Sequence, residues 1–383
     1  MKRLALAVVT AALCVFGPGV QTQSVTAPAD VSALIAALMA DTPLASDLEE
    51  LTDIDGLFRE YAKATQTELL AFPHGVAGIV YMSSRPHGLL YRHNASLGDA
   101  NLHPMMIMER EEALRAMRLL RLGRQVRLTA KLDIERGGAF ESYNVVGEIR
   151  GSERPNEFVL IGAHLDSWGL GTGANDNGCN VALVIDIARQ TARLGIRPKR
   201  TIRFALFNGE EQGLVGSWGY TKTHEAEMDG HVMASSYDIG SGRINGFFTG
   251  GRPDVVAALA RAVQPIAGLG PFAPLDVPIV GTDNYDFMMQ GIPNLVASHE
   301  PATYGQNYHA SSDTLDKVDL RQLRVNAAIA AAVTLAFADR DTRLPRHSRA
   351  DIEALIKNSD LADQMKSMGV WDGWASGTRG RTR

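Results

Sequence analysis

Phe158-Val159-Leu160-Ile161-Gly162-Ala163-His164-Leu165-Asp166-Ser167-Trp168 reads as an apolar strand that delivers an imidazole and a carboxylate at its end. An apolar run without alternation suits a strand covered on both faces, as in a parallel sheet. The same grammar recurs downstream. Residues 201–207 form an apolar run that ends at Glu210 and Glu211, and residues 233–237 one that ends at Asp238. Further strands are expected at 144–149 and 293–298. Helices are expected at 179–194, 214–224, 253–264 and 320–337. Strands alternating with helices indicate a mostly parallel sheet with helices on both faces.

Ligands of open α/β sheets bind beyond the carboxyl ends of the strands. His164, the Glu210–Glu211 pair and Asp238 therefore converge on one rim. Two more metal-capable groups lie in loops: Asp176 in Gly173-Ala174-Asn175-Asp176-Asn177-Gly178, and His309 in Tyr308-His309-Ala310-Ser311-Ser312-Asp313. Two imidazoles and three carboxylates suit two zinc ions sharing one carboxylate. Asp176 sits in a loop with high backbone freedom and is the natural shared ligand. Glu210, beside the ligand Glu211, is left as a general base. A solvated acidic pair at a helix start is the blander reading of the two glutamates. Asp166, two residues from His164, is placed to accept a bond from the imidazole and fix its tautomer; a capping Asp in a polar turn is the alternative. Tyr308 offers a hydroxyl to a developing oxyanion, or is a packed aromatic. The stretch from Gly281 to Phe287 reads as a pocket wall, with Asp283 as a candidate substrate contact.

The whole chain sets bounds. It has 383 residues, 45% hydrophobic and 21% charged, with a net charge of -5. That composition fits a globular protein and gives no basic excess for nucleic acid. Lys2 and Arg3 precede an apolar run over residues 4–16, closed by Gly17-Pro18-Gly19, which predicts a secretory signal peptide. The protein is then expected to be secreted or periplasmic, with no membrane association after signal removal. Cys179 alone remains in the mature chain, so no intramolecular disulfide forms.

These motifs resemble the co-catalytic zinc exopeptidases, the family of secreted aminopeptidases and glutamate carboxypeptidase. The resemblance spans roughly residues 142–340 and is nearest to the carboxypeptidase Q branch. It implies a three-layer α/β/α zinc-peptidase domain with a mostly parallel sheet. It implies one zinc held by His164, Glu211 and Asp176, and a second held by Asp238, His309 and Asp176. Glu210 matches the family's proton acceptor, and Tyr308 its intermediate-supporting tyrosine. A cis peptide is expected at Asp176–Asn177. The organisation expected is a signal peptide (1–26), a helical segment (27–70), a shortened protease-associated-like α+β region (71–141), the zinc peptidase domain (142–342), and a C-terminal helix with a flexible tail (343–383). In the α+β region, strands are expected at 76–82, 105–108 and 126–132, and a helix at 111–122.

The function expected is hydrolysis at the end of a short peptide by zinc-bound hydroxide with Glu210 as base, aminopeptidase action being favoured. The alternatives are a dipeptidase or carboxypeptidase Q-like activity, a one-zinc glutaminyl cyclase, and a non-catalytic binding module. A homodimer is one assembly open to the chain.

Overall fold

The computed structural model describes residues 67–68, 70–91, 103–135 and 137–382, with the backbone of 13–14. The rest of the expected signal peptide and nearly all of the 27–70 segment lie outside the described residues. Among the described residues, no helix is long and apolar enough to cross a membrane.

The chain divides into two units, residues 1–138 and 139–383. In the first, strands β1 (Ile79–Met82) and β2 (Met105–Met108) pair in parallel, and helix α1 (Arg110–Arg121) follows. Residues 126–132, expected as a strand, are not one. Their alternation is real, but most of them are exposed, and an alternating segment needs a partner to cover one side.

The second unit is built on a seven-stranded sheet. Its strands are β3 (Val145–Ile149), β4 (Arg154–His164), β5 (Arg200–Phe207), β6 (His231–Ser236), β7 (Ile244–Phe248), β8 (Ala273–Leu275) and β9 (Asn294–His299). Their order across the sheet is β3-β5-β4-β6-β9-β7-β8. The four central strands β5, β4, β6 and β9 run parallel, while β3 and β7 pair antiparallel to their inner neighbours. The carboxyl ends of all four central strands therefore open on one rim.

Period-two alternation sends β4 side chains to two different cores. Val159, Ile161 and Ala163 join Leu183, Val184 and Ile187 of α2 (Cys179–Arg193) and Ile329, Val333 and Phe337 of α6 (Leu320–Ala338). Leu160 faces the opposite core with Phe207, Tyr220 of α3 (Val215–Thr223) and Phe287 of α5 (Asn284–Met289). Helix α4 (Pro253–Val263) adds Val255 and Leu259 to the first core. Helices on both faces of the sheet give the three layers. Helix α6 starts where Asp319 accepts the amides of Arg321 and Gln322, each at 2.9 Å.

Three elements were not legible beforehand. Strand β7 is short with Gly246 at its centre, β8 is three residues long with Pro274 inside it, and α5 lies in the expected pocket wall. Proline is tolerated in β8 because that strand is the edge of the sheet.

The expected flexible tail is a correction. Helices α7 (Arg349–Lys357), α8 (Leu361–Ser367) and α9 (Trp371–Ala375) pack onto the domain, and Arg379 beyond them is only 6% exposed. Its guanidinium is buried against Asp286, so the segment is anchored by a charge pair that its Gly- and Arg-rich composition conceals.

At the other end of the sheet, His231 opens β6 and is 1% exposed. Its Nδ1 bonds the Glu227 carbonyl at 3.0 Å, which leaves Nε2 to accept from the Tyr220 hydroxyl at 2.9 Å. Burial pushes His231 down to about 4. A histidine depressed in the fold stabilises it above the unfolded value near 6.5, and that contribution fades as pH falls towards 4. Moving from pH 7 to pH 5 should remove about 2 kcal/mol of stability through this one group. Urea midpoints measured at the two pH values should converge in His231→Asn relative to the parent. Equal slopes for both proteins would show that the acid sensitivity arises elsewhere.

Candidate metal centre

Each expected donor hangs from the rim. His164 is the last residue of β4, Glu210 and Glu211 follow β5, and Asp238 follows β6. Asp176 lies in the turn 174–178 that leads into α2, and His309 in the loop after β9. The Asp176–Asn177 peptide is cis. His309 adopts φ 54°, in the left-handed region that residues other than glycine seldom enter.

The structure brings all five together. Asp176 stands between the two imidazoles, with Oδ1 at 3.2 Å from His164 Nε2 and Oδ2 at 3.1 Å from His309 Nε2. His164 Nε2 also lies 2.8 Å from Asp238 Oδ1, and His309 Nε2 lies 3.0 Å from Glu211 Oε2. Two compact donor sets result, His164–Asp176–Asp238 and Asp176–Glu211–His309, each with its atoms within 4.8 Å of one another. This corrects the pairing implied by the family resemblance, which joined His164 to Glu211 and His309 to Asp238. The imidazole nitrogens point the other way: His164 faces the β6 end, and the loop after β9 carries His309 towards Glu211. A third grouping, His164–Glu210–Glu211, sets Glu210 against the same cluster.

Asp166 also does something other than expected. His164 Nδ1 bonds the backbone carbonyl of Asp166 at 2.9 Å, whereas the nearest Asp166 carboxylate oxygen is 3.7 Å away. The carboxylate instead accepts the amides of Glu210 at 3.1 Å and Glu211 at 3.2 Å. Asp166 thus orients the imidazole with its main chain and both glutamates with its side chain.

Asp313, which the sequence did not single out, plays the matching part for Asp176. Its carboxylate accepts the amides of Asn175 at 2.6 Å and Asp176 at 3.0 Å, and its carbonyl accepts the Thr172 amide at 2.8 Å. Its only advance signal was its place four residues after His309. Gly173 permits the approach: it sits at φ 65°, and a Cβ there would collide with the Ser167 side chain.

The electrostatics is that of a cation site. Burial raises Glu211 to about 7, and Asp176 adds to the rise. Burial also lifts Glu210 well above the carboxylate range, with Asp238, Glu211 and Asp283 opposing its charge and His164 relieving it in part. The imidazoles are raised as well, for the opposite reason: nearby carboxylates favour their charged form. Burial disfavours protonated His309, yet Asp176 and Glu211 outweigh it and raise the group to about 9. Five carboxyl groups, counting Glu210 and Asp283, thus press on two imidazoles. Glu211 Oε1 is buried without a hydrogen-bond donor. This donor set, rich in oxygen and imidazole nitrogen, fits hard or borderline divalent cations.

Asp283 lies beside the cluster, 1% exposed, with neither carboxylate oxygen hydrogen-bonded, and burial raises it to about 7. Tyr308 stacks on His309, ring centroids 3.6 Å apart. Tyr304, also missed beforehand, packs its ring on Gly240, two residues past Asp238. Burial, then the charges of Asp176, Asp238, Glu211 and Glu210, hold its phenol well above its ordinary range.

Comparison with known proteins bears on this geometry. Residues 144–334 match the sequence model of peptidase family M28. Carboxypeptidase Q from Bos taurus is 31% identical over 242 residues, covering 62% of this chain and 50% of that protein. A protein named probable lipoprotein aminopeptidase LpqL, from Mycobacterium tuberculosis, is 30% identical over 250 residues, covering 56% and 48%. The crystal structure of a peptidase M28 precursor from Shewanella amazonensis superposes with a TM-score of 0.71 at 28% identity, covering 77% of this chain and 68% of that one. The chain spans about half the length of the curated relatives it matches.

Proposed function

Because this chain belongs, through residues 144–334, to peptidase family M28, we propose that it is a zinc-dependent exopeptidase that removes residues from the end of short peptides, with aminopeptidase action favoured. The observation that carries this reading is the pair of donor sets sharing Asp176, with Glu210 poised beside them. His164, Asp176 and Asp238 would hold one zinc ion, and Asp176, Glu211 and His309 the other. Once bound, the ions supply Lewis acidity, polarising the scissile carbonyl and making a water molecule more acidic.

The protein groups perform the remaining work. Glu210 accepts a proton from the attacking water and passes it to the departing amine nitrogen. Its partial exposure gives it access to both partners, and its raised affinity for protons suits a base that must also act as an acid. Asp166 holds the Glu210 amide, so the carboxylate stays aimed while its protonation changes. Tyr308 offers its hydroxyl to the carbonyl oxygen as charge develops there.

Asp283 favours the amino end of the substrate. A buried carboxylate without a donor is costly, and an α-ammonium group supplies both charge and hydrogen bonds. The likeness to carboxypeptidase Q supports a carboxypeptidase Q-like or dipeptidase activity as the second reading. Export rests on Lys2, Arg3 and the apolar run at residues 4–16. A glutaminyl cyclase using one zinc would leave one of the two donor sets without a task.

Aminoacyl-amides and N-blocked dipeptides, each tested with and without chelator, decide among these readings. Chelator-sensitive cleavage of the free-amino substrates alone is the expected result. Cleavage of blocked dipeptides at equal rate would remove the role given to Asp283, and chelator-resistant turnover would remove the zinc.

A further inference from the structure

The turn bearing Glu210 is fixed from two sides. On one side Asp166 takes the Glu210 amide. On the other, the Glu210 carbonyl accepts the amides of Gly213 at 2.9 Å and Leu214 at 2.8 Å. Leu214 has no solvent exposure and adopts φ 62°, a conformation that costs a leucine about 1–2 kcal/mol. Such a residue persists only where its surroundings over-determine it.

Those surroundings come from the C-terminal segment. Arg379 Nη1 bonds the Gly213 carbonyl and Nη2 the Leu214 carbonyl, each at 3.2 Å. Nε and Nη2 each bond Asp286 at 2.7 Å, one to either carboxylate oxygen. Ser217 donates to the same carboxylate at 2.8 Å. The guanidinium lies between the rings of Trp218, 5.2 Å away, and Tyr285, 5.1 Å away. The segment around it is tied down as well: the Arg379 amide bonds the Gly373 carbonyl at 2.9 Å, and the Arg381 amide bonds that of Met289 at 2.8 Å. The four bonds, two to the Asp286 carboxylate and one to each carbonyl, need the spread donors of a planar fork, whereas a lysine ammonium has three donors on one nitrogen.

We propose that Arg379 is a positioning residue for the reaction: through the Gly213 and Leu214 carbonyls it locks the turn that aims Glu210. The inference rests on the reading of Glu210 as the base. Removing the fork frees Leu214 to leave its left-handed conformation, and the Glu210 carbonyl loses its two fixed amides. The Glu210 carboxylate then drifts about the one anchor left to it, the amide bond to Asp166, while Glu211 keeps its own amide bond to Asp166 and Asp176 keeps its bond to Asp313.

The test compares Arg379→Lys, Arg379→Ala and Arg379→Ala/Asp286→Asn, the last free of the stranded buried carboxylate. Each is assayed on an aminoacyl-amide, with zinc content and thermal midpoint measured alongside. Expected is a loss in kcat of about 100-fold, the scale of a catalytic group misplaced by an ångström, with KM nearly unchanged and zinc retained. Millimolar guanidinium ion should restore part of the lost kcat in Arg379→Ala and none in Arg379→Lys, whose side chain fills the site. A role confined to fold stability would instead lower the thermal midpoint and leave the kcat of the folded enzyme unchanged. Wild-type kcat in any variant that remains folded overturns the proposal. Glu210→Gln is run in parallel: if it stays active, the reading of the base has failed, whereas an inactive Glu210→Gln beside fully active Arg379 variants refutes the positioning role alone.

Discussion

Replacing Glu210 by glutamine should lower kcat by about 10³- to 10⁴-fold while leaving zinc content and thermal midpoint as they were. Glutamine keeps the shape of the side chain and its backbone bonds to Asp166, Gly213 and Leu214, but it cannot take a proton. Neither of the two donor sets that share Asp176 includes Glu210, so the cations do not depend on it. The pair of measurements is what matters. Lost turnover with lost metal would make Glu210 a ligand, and a fall in kcat of less than about tenfold would transfer the proton to another group. Asp283 is then the next candidate, a buried carboxyl beside the same cluster that burial raises to about 7.

Asp176→Ala should empty both metal sites. Its two oxygens face different imidazoles, so the change leaves each set with one imidazole and one carboxylate. Zinc measured after dialysis should fall from about two ions per chain to near none, and hydrolysis to background. Asp238→Ala, by contrast, touches one set and should retain about one ion. Double variants read the pairing itself. His164→Ala/Asp238→Ala removes two donors of the same set and should keep about one ion, whereas His164→Ala/Glu211→Ala strikes both sets and should keep none. The reverse result would restore the pairing that the family resemblance implied.

The parts legible in the sequence share one physical origin. A strand buried on both faces must be a continuous apolar run, so Phe158 to His164 declared both its structure and the polar group at its end. The same holds for the runs leading to Glu210 and Asp238. The partition of ligands was not legible, because β4 has β5 and β6 as neighbours on either side. Strand adjacency therefore allows His164 to pair with Glu211 or with Asp238, and only side-chain direction decides. Asp166 was found, yet its carboxylate bonds two amides that lie 44 and 45 residues away, a contact that no local pattern encodes. The C-terminal segment misled for the opposite reason. Gly377-Thr378-Arg379-Gly380-Arg381 carries the composition of a loose tail, and its order arises from partners far upstream, among them a carboxylate 93 residues away and the carbonyls of Gly213, Leu214 and Met289. Strand β8, three residues long with a proline, carried too little signal to separate it from a loop.

Asp313 has one more effect. By tying its own loop to residues 172–176, it couples the segment carrying His309 to the segment carrying Asp176. Those two stretches must travel as one piece. A substitution that removes the Asp313 carboxylate should therefore loosen donors of both cation sets at once, Asp176 and His309 together, rather than one set alone.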